Sequence, residues 1–334
     1  MDDEKFMRAA LREARRGSGR TSPNPAVGAV IVRGGRIVAR GFHRCAGMPH
    51  AEIEAIAALK NARLARGATL FVTLEPCSTQ GRTPPCVGAI LESGFARVVI
   101  GAMDPNPAHA GRGVKLLRAA GVEVVGGILE DECRGLNAAF NKWIVTGMPF
   151  IIAKAALSLD GRLTRPPGEG QWLSSAASRA DAHRLRASVD AILVGAGTVR
   201  ADNPRLTIRG IPDARQPWRV ILARRGALPK SAHVFTDEFR DRTLVFRDRT
   251  LRSVLRELGR REITSVLIEG GGTVLGEAID RRLVDRFHFY LAPILCAGPN
   301  AIGGRGAAST AESLALRNPR YTRIGGDLVM TADV

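Results

Sequence analysis

The sequence predicts an α/β protein of two domains, residues 1–146 and 147–334, and three observations carry this. Short apolar runs alternate with amphipathic helical runs along the first half, the order that lays helices on both faces of a mostly parallel sheet. The pattern restarts at "VTGMPFIIAKAALSLDGR", with Gly147 and Pro149 as punctuation, and continues as a second α/β domain. The 334 residues also exceed what one hydrophobic core usually organises.

In order, "KFMRAALREA" has helical period, and "VGAVIV" and "RIVARGF" read as strands around a Gly-Gly turn. "HAEIEAIAAL" is a helix, "ATLFVTL" a strand, "PPCVGAILES" a helix and "ARVVIGAM" a strand. "GVKLLRAAG" and "VEVVGGI" follow as helix and strand, and a last helix covers 131–145. In the second half strands are expected at 150–158, 191–195, 219–223, 243–246, 265–269 and 286–294. Helices are expected at 175–187, 250–260 and 273–283.

Composition sets limits on function. With 45% hydrophobic and 24% charged residues the chain reads as globular. No apolar run reaches the roughly 18 residues of a membrane span, and the charged opening helix lacks a secretory core, so a cytoplasmic protein without membrane partners is expected. The net charge of +17 raises nucleic acid as a partner. Arginine outnumbers lysine 43 to 6, many arginines sit among acids as in "IDRRLVDR", and aromatics for stacking are only 5%. A solvated basic surface is the better reading, and a phosphorylated small substrate would suit the same charge. A homo-oligomer is left open.

Five cysteines, at 45, 77, 86, 133 and 296, are too few and too scattered for a disulfide framework. Cys45, Cys133 and Cys296 read as packing thiols. Cys77 and Cys86 differ: each directly follows a proline, at the two ends of "TLEPCSTQGRTPPC". Upstream, "MPHAEIEAI" puts Pro49 just before His50 and Glu52 two residues later, on the first turn of the expected helix. One imidazole and two thiolates, gathered at the starts of helices on one side of a sheet, suit a zinc site whose fourth position is open to water. Helix N-termini favour the thiolate form. Glu52, beside the ligands, is placed to shuttle protons. The order of residues is that of the nucleobase deaminases, "HAE" then "PC", with eight residues rather than two before the second cysteine. Glu75, before a proline at a strand end, reads instead as an acceptor that shapes the metal loop.

With "PNPAVGAVIV", "GFHRCAGMPHAE", "TLEPCSTQGRTPPC", "DPNP" and "GRGVKLLRAAGVEV", the first half resembles the bifunctional deaminase–reductase family of riboflavin biosynthesis. The second half resembles it through "KAALSLDGR", "QWLSS", "LVGAGTVRADNPRLT" and "EGGGTVLG", so the likeness covers nearly the whole chain. It implies a cytidine-deaminase-like N-terminal α/β/α sandwich, a dihydrofolate-reductase-like C-terminal domain, and Zn2+ and NADPH as cofactors. The implied reactions are loss of the 2-amino group of 2,5-diamino-6-ribosylamino-4(3H)-pyrimidinone 5′-phosphate as ammonia, then reduction of the ribosyl moiety to a ribityl chain. Asn24 and His43 match residues that the family uses around the deaminase pocket; a turn asparagine and a strand-end histidine are the alternatives. Arg82 could meet the phosphate or stand merely solvated.

No G-x-G-x-x-G follows the first strand of the second half, which argues against a Rossmann site. "SVLIEGGGTVLGEAI" is a strand, three glycines and a helix start, where backbone amides can approach a pyrophosphate. "GAGTVRADNP" reads as a second loop at a strand end, and two facing loops can hold a dinucleotide. By resemblance the cofactor would contact Ala156, Trp172, Thr198, Asp202, Gly271, Gly272, Thr273, Val274, Leu275, Gly276 and Glu277. The substrate would meet Lys154, Gly170, Arg186, Leu206, Arg209 and Glu269, two arginines being suited to a phosphate. Lys154 and Asp202 are candidates for proton transfer, a structural ion pair being the alternative. Three departures stand out: Thr79 where the family usually has histidine, Gly170 where it often has serine, and a shortened stretch between "TLVF" and "TLRSVLREL" that bears on the edge of the cofactor site.

Overall fold

Gly34 and Gly35, at φ +55° and +72°, turn strand β1 (Gly28–Arg33) back into β2 (Arg36–Phe42). Two successive positive φ values are what a two-residue hairpin needs, and glycine adopts them without steric cost. The computed structural model describes residues 2–79, 84–163, 172–297 and 300–334, so Arg82 and Gly170 lie outside the described residues. The chain divides into two units, Met1–Gly147 and Met148–Val334.

In the first unit β1 also pairs antiparallel with β3 (Thr69–Leu74). Strands β4 (Arg97–Ala102) and β5 (Glu123–Val125) continue in parallel, giving the order β2-β1-β3-β4-β5. The sheet is therefore mixed rather than mostly parallel. Only β3 to β5 are joined through crossover helices, α3 (Cys86–Ser93) and α4 (Arg112–Ala119), whereas β1 and β2 form a hairpin.

Alternation along the strands splits the side chains between two cores. Val30, Val32, Phe71 and Val99 pack with Phe6, Met7 and Leu11 of α1 (Asp3–Arg15). Ala29, Ile31, Leu70, Val72 and Ile100 pack on the other face with Ala51 and Ala55 of α2 (Ala51–Ala57) and Ile90 of α3. Gly41 decides how closely α2 sits: a Cβ there would lie 2.3 Å from Ala55 N and 2.4 Å from Ala51 O. The helix expected over 131–145 is two, α5 (Glu130–Leu136) and α6 (Ala138–Thr146). They break at Asn137, whose side chain bonds both backbone groups of Ala26, at 2.8 and 3.0 Å.

The second unit contains β6 (Phe150–Ser158), β7 (Ala191–Gly195), β8 (Trp218–Ala223), β9 (Thr243–Arg247), β10 (Ser265–Ile268), β11 (Arg286–Ala292), β12 (Arg317–Ile324) and β13 (Asp327–Asp333). Its helices are α7 (Ala176–Ala187), α8 (Ala196–Asp202), α9 (His233–Thr236), α10 (Leu251–Arg260) and α11 (Gly272–Asp280). The sheet runs β12-β13-β11-β6-β10-β7-β8-β9, parallel from β11 to β9, with an antiparallel hairpin at the other edge. All six expected strands form. The β12–β13 hairpin was not expected, because β12 is exposed along nearly its whole length and has no apolar alternation to read. Helix α8 stands where a loop was expected.

The stretch after β9 leaves no break: Asp248 to Thr250 lead directly into α10, where Thr250 Oγ1 accepts from Ser253 N at 3.2 Å as a helix cap. Helices α10 and α11 cover one face, packing Leu255 and Leu275 with Ile151, Leu193, Val266 and Ile268. On the opposite face Leu185 of α7 packs with Ile152 and Leu267. Two residues further along the same strand lines stand Lys154 and Glu269, where that face turns polar. Among the described residues, no helix is long and apolar enough to cross a membrane.

Candidate functional site

His50 caps α2, and Cys86 is the first residue of α3 after the cap Pro85. Cys77 follows the end of β3 on the loop between them. His50 Nδ1 and the two Sγ atoms lie within 4.8 Å of one another, and no further histidine, cysteine or carboxylate joins the cluster among the described residues. His50 Nδ1 is 3.5 Å from Cys77 Sγ and 3.3 Å from Cys86 Sγ. A tetrahedral zinc with Zn–S near 2.3 Å and Zn–N near 2.0–2.1 Å has N–S edges of about 3.5 Å. The three donors therefore fit zinc as they stand and leave the fourth vertex open.

The thiol of Cys86 holds Cys77 down to about 4 against the effect of burial, helped by His50 and by the Cys86 backbone N–H, which donates to Cys77 Sγ at 3.3 Å. Cys86 is pushed up in turn, by Cys77 and by burial. Glu52 is 3% exposed on the first turn of α2, and burial pushes it up to about 7. A carboxyl at that value exchanges protons near neutrality, as a shuttle must.

A hydrogen-bonded chain backs the imidazole. His43 Nδ1 donates to the carbonyl of Pro49 at 3.0 Å, which makes Nε2 the acceptor for Asn24 Nδ2 at 3.1 Å. Burial lowers the His43 pKa, in keeping with a neutral ring, and that ring stands edge-on to His50 with centroids 5.2 Å apart. The structure thus brings Asn24 and His43 beside the three-donor cluster, with both His43 nitrogens bonded to protein. Glu75 is buried, and its carboxylate accepts four backbone N–H groups: Asp104 (3.3 Å), Gly111 (3.0 Å), Gly113 (3.0 Å) and Val114 (3.3 Å). It ties the 104–114 segment to the root of the cysteine loop. Thr79 Oγ1 lies 3.2 Å from His109 Nδ1. Of the other cysteines, Cys133 is a buried core thiol, Cys296 is half-buried, and Cys45 is exposed, so Cys45 is not the packing thiol expected.

In the second unit, the glycine turn after β10 faces helix α8, which stands in place of the second loop expected, at the C-terminal ends of the neighbouring strands β7 and β10. Gly270 and Gly271 turn at φ +133° and +79° into α11, and Cβ atoms on them would lie 3.7 and 3.4 Å from Thr198 Oγ1 on α8. Gly272 and Gly276 answer to packing: Cβ atoms there would meet Ala301 O at 2.3 Å and Gly303 at 2.2 Å. Val274 and Leu275 are core residues, and Glu277 pairs with Arg224 at 2.6 Å and Arg281 at 3.0 Å. Only backbone is available to a ligand at Val274 and Leu275. Thr273 is exposed on the first turn of α11.

Arg186 and Glu269, both expected to meet a substrate, also meet each other, with Nε–Oε1 at 2.7 Å and Nη2–Oε2 at 2.6 Å. Arg186 Nη1 also donates to Thr207 O at 2.9 Å. Burial alone would raise Glu269, but Arg186, with Lys154 behind it, holds it below the ordinary carboxylate range. Leu206, at φ +54°, is buried in a core cluster. Arg209 is exposed and has no carboxylate partner among the described residues; burial and the charges of Arg186 and Arg205 lower its pKa. Such a site is relieved by an anion. Trp172 is exposed under the guanidinium of Arg179, 5.5 Å from its ring centroid. Ala156 and Lys154 share a face of β6, and Asp202 ends α8.

Both units match family models: the cytidine and deoxycytidylate deaminase zinc-binding region over residues 1–102, and the RibD C-terminal domain over 149–330. The riboflavin biosynthesis protein RibD of Bacillus amyloliquefaciens is 43% identical over 358 aligned positions, spanning 99% of this chain and 96% of that protein. The chain belongs to the RibD family. RibD of Aquifex aeolicus is 39% identical over 98% of the chain and 97% of its own length. RibD of Acinetobacter baumannii superposes with a TM-score of 0.90 at 36% identity, covering 99% of this chain and 98% of that one. A Thermotoga maritima structure, described as a diaminohydroxyphosphoribosylaminopyrimidine deaminase/5-amino-6-(5-phosphoribosylamino)uracil reductase, gives 0.90 at 37% identity with the same coverage.

RibD is a bifunctional enzyme of riboflavin biosynthesis, a zinc deaminase in its first half and an NADPH-dependent reductase in its second. Within the RibD reductase half, sequence reasoning missed Asp181, His288 and Tyr290, which gather beside Lys154. The alternation of "RFHFY" puts His288 and Tyr290 on one face of β11, but nothing local points that face toward Lys154.

Proposed function

We propose that the first unit hydrolyses the 2-amino group of 2,5-diamino-6-ribosylamino-4(3H)-pyrimidinone 5′-phosphate and that the second reduces the resulting 5-amino-6-(5-phosphoribosylamino)uracil to the ribityl compound. We place this activity in the cytoplasm. The observation that carries the reading is a three-donor cluster of zinc dimensions with a buried carboxyl near neutrality beside it. The description of the Thermotoga maritima relative supports the same two substrates.

His50, Cys77 and Cys86 would hold the metal. Zinc, when bound there, supplies a Lewis acid that makes water acidic near neutral pH. Glu52 takes a proton from the attacking water and returns it to the departing nitrogen, so the ring carbon gains oxygen and ammonia leaves. Asn24 and His43 hold the wall behind His50, and Arg82 is proposed for the phosphate.

In the second unit, the Gly271 turn with Gly272, Thr273, Gly276 and Glu277 on α11, and Thr198, Asp202, Ala156 and Trp172, are proposed to line the cofactor site. NADPH, when bound there, would supply hydride to C1′ of the sugar. Lys154 gives the matching proton to the ring oxygen as the C1′–O4′ bond opens. Arg209 takes the substrate phosphate, Gly170 is proposed as a further substrate contact, the Leu206 backbone lies along the substrate, and the Arg186–Glu269 pair ties α7 to the end of β10. Incubation with the diaminopyrimidine phosphate, zinc and NADPH tests both halves. Without ammonia release the first assignment fails; ammonia without loss of NADPH absorbance defeats the second.

A further inference from the structure

Lys154 lies opposite His288 in the parallel register of β6 and β11, and Ala156 lies opposite Tyr290. Since side chains two apart share a face, Lys154, His288 and Tyr290 project together beneath α7. Tyr290 is 1% exposed, and its hydroxyl donates to Asp181 Oδ2 of α7 at 2.8 Å. Lys154 Nζ stands 5.6 Å from the centroid of the Tyr290 ring. No hydrogen bond or ion pair to a described residue is made by that ammonium. The His288 and Tyr290 rings are 4.9 Å apart, and His288 Nε2, 3.6 Å from Asp181 Oδ2, has no hydrogen-bond partner among the described residues.

We propose that Tyr290 is a positioning residue for reduction, holding the Lys154 ammonium over its ring beside the reacting sugar while Asp181 fixes that ring through its hydroxyl. This rests on the reading of Lys154 as proton donor. An ammonium over an aromatic face is stabilised by the ring quadrupole, the more so where water is excluded. A phenol that donates to a carboxylate is richer in electrons and binds the cation more firmly. Burial and Asp181 push the Tyr290 phenol upward, so it stays protonated, while burial lowers Lys154. The charged and titratable groups around this lysine are Glu269 from the end of β10, Arg186 from α7 and His288 from β11, with Asp181 of α7 beside His288; Arg286, further along β11, is paired with Asp333. Glu269 favours the charged lysine but is shared with Arg186, which opposes it, so the Tyr290 ring is the second contact that supports the ammonium.

The test is single-turnover reduction of 5-amino-6-(5-phosphoribosylamino)uracil with saturating NADPH, in the full chain, as a function of pH. Tyr290→Leu is expected to lower the rate about tenfold and to move its alkaline limb downward by up to about one pH unit. KM for NADPH and ammonia release by the first unit should not change. Tyr290→Phe keeps the ring but loses Asp181, and should move the limb the same way by less; it also serves if the leucine variant does not fold. An unmoved alkaline limb in these variants, with Lys154→Met inactive, overturns the proposal alone. If Lys154→Met reduces at the parent rate, the assignment of Lys154 as donor falls, and the role of Tyr290 falls with it.

Discussion

Arg186 binds both carboxylate oxygens of Glu269, at 2.7 and 2.6 Å, linking the last turn of α7 to the end of β10. The fork geometry is the strongest form of this contact, and both side chains are largely removed from water. Removing one partner leaves a buried charge unmatched.

Arg186→Met should therefore destabilise the second unit by about 3–5 kcal/mol, a fall in Tm on the order of 10 °C. Calorimetry on the full chain measures it. A loss below about 1 kcal/mol would show the pair to be solvent-relaxed.

The same pair sets a pH dependence. Glu269 has a folded-state pKa lowered from 4.5, so it binds fewer protons folded than unfolded. Its stabilisation is complete above the unfolded value and is lost as pH falls through the folded one. Below about pH 4.5 the parent should lose stability more steeply than Glu269→Gln. Parallel slopes in acid titrations monitored by circular dichroism would refute this.

Cys86→Ser should release zinc and abolish ammonia formation, since two donors remain of three. Metal analysis after dialysis decides it, and zinc content equal to the parent would remove Cys86 from the ligand set.

Glu52→Gln should keep its zinc and lose deamination by about 10²–10⁴-fold, because an amide cannot accept the proton of water. Reduction of supplied 5-amino-6-(5-phosphoribosylamino)uracil should continue at the parent rate in this variant. Deamination at the parent rate would mean that another base carries the proton.

Gly41→Ala should lift α2 from β2, since the added methyl would fall 2.3 Å from Ala55 N and 2.4 Å from Ala51 O. Overpacking of this kind costs about 1–3 kcal/mol. Because α2 carries His50 at its cap and Glu52 on its first turn, zinc retention against a chelator should weaken along with Tm. Unchanged retention would mean that the cap moves independently of the helix.

The sequence by itself determined the α/β character, the six strands at the heart of the second unit, and the two cysteines and one histidine that meet in one three-donor cluster. These are legible because helix caps, prolines and glycine turns act within a few residues: Pro49 and Pro85 set the helix starts, and those starts aim His50 and Cys86. The alternation of apolar residues did the same for the strands. It failed for β12, which buries no face, and for the 131–145 helix, which Asn137 breaks by bonding Ala26, 111 residues away. Only the tertiary structure decided that Arg186 meets Glu269 across 83 residues and Asp181 meets Tyr290 across 109. Those contacts depend on strand order, with β10 inserted between β6 and β7 and β11 laid on the far side of β6. Local propensity fixes where a strand begins and which face it presents, but its neighbours are chosen by the burial of the whole sheet. For that reason the three-donor cluster could be read from motifs, while the Lys154 surroundings could not.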